Sequence, residues 1–233
     1  MKKLLVIIFI LVAIASPDLA LAQDKLEFDF WQAQYKLDDV LESRLDVRKL
    51  SGEFGLDYDL SIKLSYKFWD QFDIHNSNTQ SFNLKTVKDF SAGDDEKLAL
   101  GFAIDYYRQT VNDQGVNLFQ LDKNGLDLVL DVEKKIMERV NLFTDLSYGL
   151  YSDYQLANLN LASNITYNSN YNYGISTGLK FKVGPDLRAK VGYKLQQEIL
   201  KAKDQDEVII NDYDLTEFSQ LQHGLFLGLE TEF

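Results

Sequence analysis

Residues 54–68 read Phe-Gly-Leu-Asp-Tyr-Asp-Leu-Ser-Ile-Lys-Leu-Ser-Tyr-Lys-Phe. Each even position, from Phe54 through Leu56, Tyr58, Leu60, Ile62, Leu64 and Tyr66 to Phe68, is large and apolar or aromatic. Each odd position is Gly, Asp, Ser or Lys. A strand sends successive side chains to opposite faces, so this stretch has one oily face and one polar face. A helix would need apolar residues three and four apart, and the stretch does not supply that period. Strands of soluble sheets run to roughly 5–6 residues. The reading is therefore one long strand over 54–68, tilted across a membrane and projecting beyond it.

The alternation recurs along the chain. Leu98, Leu100, Phe102, Ile104 and Tyr106 share one parity, as do Leu126, Leu128, Leu130 and Val132. Val140 to Leu150, Tyr171 to Val183 and Leu187 to Leu195 repeat it. Phe82 and Leu84 mark a weaker strand. Leu26 to Leu37 forms another whose parity slips at Phe30-Trp31, the mark of a bulge, with Leu45 and Val47 as a short partner. Short joints are expected at 49–52, 91–96, 133–138 and 184–185, and longer polar ones at 69–79, 112–123, 153–169 and 199–214. That rhythm predicts an all-β, antiparallel up-and-down transmembrane barrel of about ten strands, with eight to twelve open.

Composition narrows the class. Lys2 and Lys3, an apolar core over 4–15 and Ala20-Leu21-Ala22 read as a cleaved export signal over 1–22, leaving 23–233 as one barrel domain. The apolar core is too short to span a bilayer, which takes about 20 residues. There is no cysteine, so thiolate metal sites are excluded. The net charge of −12 supplies no basic surface to neutralise phosphates, which argues against a nucleic-acid partner. No nucleotide, zinc or EF-hand spacing is present, so no cofactor and no metal are expected.

The chain ends with the same alternation. Leu225, Leu227, Leu229, Thr231 and Phe233 share one parity, and Phe226, Gly228, Glu230 and Glu232 the other. A final strand of this kind behind an export signal resembles the bacterial outer-membrane β-barrels. That resemblance implies localisation in the bacterial outer membrane, contact with its lipid and lipopolysaccharide, and an insertion signal, carried here by Gly228 and Phe233, read by the barrel-insertion machinery. Tyr58, Tyr66, Tyr106, Tyr148, Tyr171, Tyr173 and Tyr193 lie on the oily parity, as residues of an interfacial girdle would.

With the oily parity toward lipid, the other parity lines the lumen. It carries Asp57, Asp59, Asp105, Asp127, Asp131 and Asp145 on early strands, and Lys180, Lys182, Arg188, Lys190 and Lys194 on later ones. Lys63 and Lys67 are basic exceptions among the acidic staves. These charges either pair and plug the lumen, or stay apart across water and set up a transverse field that selects ions or small polar solutes. The leading expectation is a passive component, either a narrow porin-like channel or a structural barrel. Two alternatives stand beside it. His75-Asn76-Ser77-Asn78 resembles the His-x-Ser-Asn signature of outer-membrane phospholipase A and the lipid A deacylases, which would make His75 and Ser77 a lipid-hydrolysing dyad, with Asp89 as the candidate orienting group. A ligand- or partner-binding barrel acting through 153–169 and 199–214 is the other. His223 reads as an interfacial residue.

Overall fold

The computed structural model describes residues 25–37, 41–56, 59–71, 76–90, 95–113, 116–158, 165–203, 209–210, 213–214 and 216–233. The export signal, Asp57, Tyr58 and His75 lie outside the described residues. Ten strands close into an antiparallel barrel: β1 (Lys25–Leu37), β2 (Leu41–Leu56), β3 (Leu60–Gln71), β4 (Asn76–Asp89), β5 (Glu96–Asp113), β6 (Val116–Met137), β7 (Val140–Asn158), β8 (Ile165–Lys182), β9 (Leu187–Ala202) and β12 (Glu217–Glu232). β12 pairs with β1 along the full length of β1 and closes the sheet. Two-residue strands β10 (Ile209–Ile210) and β11 (Tyr213–Asp214) pair with each other between β9 and β12. No described residue is helical.

The decisive stretch folds differently from its first reading. Residues 54–68 are not one strand. They are the end of β2, a turn, and the start of β3, with Leu56 paired to Leu60 and Gly55 to Ser61. Asp59 takes the left-handed conformation at φ 58°, which aspartate tolerates better than most side chains. Its carbonyl accepts the Asp89 amide at 2.8 Å. Across this turn even residues pair with even residues and stay on one face, so the alternation passes through without a break. Periodicity alone is blind to a turn that conserves parity.

Other boundaries move as well. Positions 49–52 lie inside β2, and most of 69–79, 112–123 and 153–169 is strand. The end of the barrel opposite the chain termini is built of projecting hairpins rather than long loops. Strands beyond the bilayer need no oily face, so their polar sequence imitates loop composition. β1 shows no slip: its pairing with β2 and β12 runs unbroken from Lys25 to Leu37. Trp31 points inward in phase with Glu27 and Asp29.

The facing of the strands follows the parity. Leu225 and Leu227 are 67% and 60% exposed, and Phe226 between them is 6% exposed. Phe102, Ile104, Leu146, Ile175 and Val191 join an exposed apolar belt around the outside. Such a belt is stable only against hydrocarbon, and a closed barrel leaves no unpaired sheet edge in it. Tyr148, Tyr171 and Tyr173 stack edge-to-face on the outside, with centroids 6.3 and 5.3 Å apart.

Candidate functional site: the lumen

The inner wall has two parts of opposite chemistry. Near the chain termini it is a network of ion pairs. Glu27 on β1 binds Lys49 of β2 at 3.3 Å, and also Lys63 of β3 and Lys190 of β9. Asp29 takes Lys49 at 3.2 Å and Lys190 at 3.1 Å. Lys85 pairs with Asp131, reaching over Ala99, Gly101 and Ala103 of the intervening strand. Lys180 bridges Glu133 and Glu230, and Arg188 holds Glu232 at 3.0 Å. One carboxylate serving three ammonium groups ties β1, β2, β3 and β9 together along the inner wall. A Cβ at position 228 would collide with the Asp29 carboxylate and lie 2.9 Å from the Lys190 Cε, so a side chain there would displace both from their present places in the network.

At the other end the lumen holds an apolar cluster beside buried polar groups. Leu121, Tyr154, Leu156, Ile165, Tyr167, Leu200, Ala202 and Phe218 form one buried cluster inside the barrel. The Tyr167 and Phe218 rings meet edge-to-face at 5.3 Å. Just below, Trp31, Tyr35, Leu45, Val47, Trp69, Phe143 and Phe226 form a second cluster, and Tyr107 packs against both. Lys123 is buried between the two regions, 3.3 Å from Glu198, which also accepts the Tyr154 hydroxyl.

Two aligned bulges create the upper cluster. Against β6, β7 has an extra residue at Leu150, since Leu126 pairs with Tyr151 and Asp127 with Gly149. Against β9, β8 has an extra residue at 170, since Ser169 pairs with Leu200 and Tyr171 with Ile199. Between β7 and β8 the pairing stops at Tyr148–Tyr173 and resumes at Asp153–Asn168. A bulge inserts one residue and reverses which parity faces inward. Leu150 and Tyr151 are accordingly both outside, at 51% and 54% exposure. Beyond them Tyr154, Leu156, Ile165 and Tyr167 turn into the lumen.

A cavity of about 180 Å³ lies between the ion-pair network and the aromatic ring. Ser147, Gly174 and Ser176 line one side of it and leave the room. Asp145 lines it and is solvent-exposed, so the cavity is connected to water.

The charges singled out in the sequence divide among these regions. Asp105, Asp127, Asp131, Asp145, Lys190 and Lys194 line the cavity. Lys180 and Arg188 belong to the network at the terminal rim. Lys182 is exposed at the end of β8, and Asp59 is exposed in the β2–β3 turn rather than on the inner wall. Glu27, Asp29, Lys49, Lys85, Glu133 and Glu198 were not singled out. Glu27 and Asp29 were hidden by the apparent slip at Phe30-Trp31. Glu133 sits where a turn was expected. Of the cavity-lining charges, Asp131 and Lys190 are ion-paired, and Asp105, Asp127, Asp145 and Lys194 make no ion pair among the described residues.

Ser77 lies in β4, paired with Gln71 and Val111 at the end away from the termini. Asp89 is at the opposite end of the same strand, roughly 40 Å from Ser77 at the rise of an extended chain. His223 is on the outer face of β12, its Nδ1 2.7 Å from the Tyr193 hydroxyl.

No protein-family model and no curated protein matches the chain. Solved structures do. The outer membrane protease OmpT of Escherichia coli superimposes with a TM-score of 0.58 at 11% identity, over 92% of this chain and 98% of that one. Neisserial surface protein A gives 0.45 at 12% identity, over 91% and 99%. Ail, the attachment invasion locus protein of Yersinia pestis, gives 0.41 at 14% identity, over 91% and 99%. This is the fold of a bacterial outer-membrane β-barrel. At these identities the likeness carries the architecture alone, and no activity comes with it.

Proposed function

We propose that this outer-membrane barrel is a passive envelope component, closed to through-flow at the end away from its termini. The buried stopper of Leu121, Tyr154, Leu156, Ile165, Tyr167, Leu200, Ala202 and Phe218 supports this reading. Removing one large apolar side chain from water contributes about 1.5–3 kcal/mol. Exposing the seven large ones together would cost on the order of 10 kcal/mol, so thermal opening is negligible. The ion-pair network adds ties between staves of the wall below. The barrel is thus better suited to a structural role with a water-filled chamber than to free diffusion of solutes.

Planar-bilayer recording tests this. The wild-type protein is expected to give no stable ohmic steps, and Tyr167→Ala combined with Phe218→Ala is expected to produce them. Ohmic conductance of the wild type would overturn the closed reading. Phe233 is 78% exposed, which suits a terminal tag for the insertion machinery. Its deletion is expected to slow insertion into the membrane in cells.

A further inference from the structure

The cavity beneath the stopper contains charges that the rest of the lumen does not neutralise. Lys67 and Lys194 line it and make no ion pair among the described residues. The Lys194 ammonium instead sits 4.9 Å from the centroid of the Trp31 ring. Across the chamber, Asp105 takes only an amide contact from Asn83 at 2.9 Å, and Asp127 only one from Asn172 at 3.4 Å. Asp145 makes no ion pair among the described residues. The lysines lie on β3 and β9, and the acids on β5, β6 and β7. These charges stand apart on the inner wall, whereas the Glu27–Asp29 network and the Lys85–Asp131 pair, which line the same cavity, are satisfied.

Two further polar atoms are buried without a partner. Trp31, 5% exposed, lines the cavity with its Nε1–H unsatisfied. Glu198, 4% exposed, has Oε1 unsatisfied in a smaller adjoining space that shares Trp31, Lys67 and Asp105. Buried donors and acceptors left without partners are costly, so a site that retains them on both sides is built for something that satisfies both.

We infer that this chamber binds a small zwitterion, with its anionic end toward Lys67, Lys194 and the Trp31 indole, and its cationic end toward Asp105, Asp127 and Asp145. Opposed charged walls orient a dipolar solute. Water reaches the chamber at Asp145, so entry does not require the stopper to move. The inference rests on the reading of a barrel closed at one end, because the stopper forms the chamber's roof.

The protein carries its own probe. Its only tryptophans are Trp31 and Trp69; Trp31 lines the cavity and Trp69 the adjoining space. Intrinsic fluorescence of the protein refolded in detergent micelles is titrated with β-alanine, and separately with acetate and with ethylammonium, its two singly charged halves. A saturable change is expected with β-alanine, at least about tenfold tighter than with either half, the factor corresponding to one additional charge-assisted contact. Lys67→Met and Lys194→Met each remove that advantage, whereas Lys182→Met, outside the chamber, does not. Neither lysine makes an ion pair among the described residues, so both variants are expected to fold. Absence of any saturable change overturns the inference, as does acetate binding as tightly as β-alanine. If the wild type conducts in a bilayer yet responds to β-alanine as described, the closed reading fails and the zwitterion site stands.

Discussion

The two halves of this lumen use the same wall and hold together by different physics. Near the termini, lysines from three strands converge on Glu27 and Asp29 of β1, and the contacts are charge pairs. Away from the termini, the bulged strands β7 and β8 turn Tyr154, Leu156, Ile165 and Tyr167 inward, and the contacts are apolar. An ion-pair network depends on every partner being present. Removing one buried charge strands the rest, whereas replacing all of them together is often tolerated. An apolar cluster degrades gradually, in proportion to the volume removed. The difference predicts how each half responds to mutation.

The largest effect is expected from Glu27→Gln. It leaves Lys49, Lys63 and Lys190 short of a counter-charge and costs about 3–5 kcal/mol, read as a lowered midpoint in urea unfolding of the barrel refolded in detergent. A loss as small as that of a surface substitution would show that lumen water already screens the network. Next is Leu200→Ala in the stopper, with an expected cost of about 2–3 kcal/mol. It should act independently of Glu27→Gln, because the two sites share no partner and distant substitutions add. Strong coupling between them would dissolve the distinction between the halves. Lys67→Met comes third. An unpaired lumenal lysine has no bond to lose, so the change should fall within about 1 kcal/mol and can be stabilising. A cost near that of Glu27→Gln would mean that Lys67 is part of the network. The smallest effect concerns the β2–β3 turn. Asp59→Gly should be neutral within about 0.5 kcal/mol, because glycine takes positive φ freely. Asp59→Val should cost more than 1 kcal/mol, because a β-branched residue resists that region.

The fold was largely legible because lipid enforces alternation, and Phe102, Ile104, Leu225 and Leu227 carry that constraint visibly. Two devices hid the remainder. The turn at Asp59 conserves parity, so 54–68 reads as one strand although it is two. The bulges at Leu150 and at 170 invert parity, so the apolar residues of 153–169 fit no single face and read as a loop. The signal was present in Leu150-Tyr151, two large residues in succession after a strict alternation, followed by Tyr154 and Leu156 two apart in the new phase. Glu27 was lost in the reverse way: an inward Trp31 was read as evidence of a slip when it was the start of the aromatic ring. The charge pairing could not be read at all, since Lys85 and Asp131 meet only through the register of β4, β5 and β6, over the small residues Ala99, Gly101 and Ala103.

Reversal of facing in β7 is what makes the stopper, and the absence of cysteine allows it to be measured directly. Single cysteines carrying a nitroxide label, placed one at a time from 142 to 157, report mobility by electron paramagnetic resonance. The mobile, outward positions should be 142, 146, 148 and 150, and then 151, 153 and 155, a phase shift of one residue with 154 and 156 immobilised. Mobile labels continuing at 152, 154 and 156 would contradict the account, leaving the lumen without its stopper.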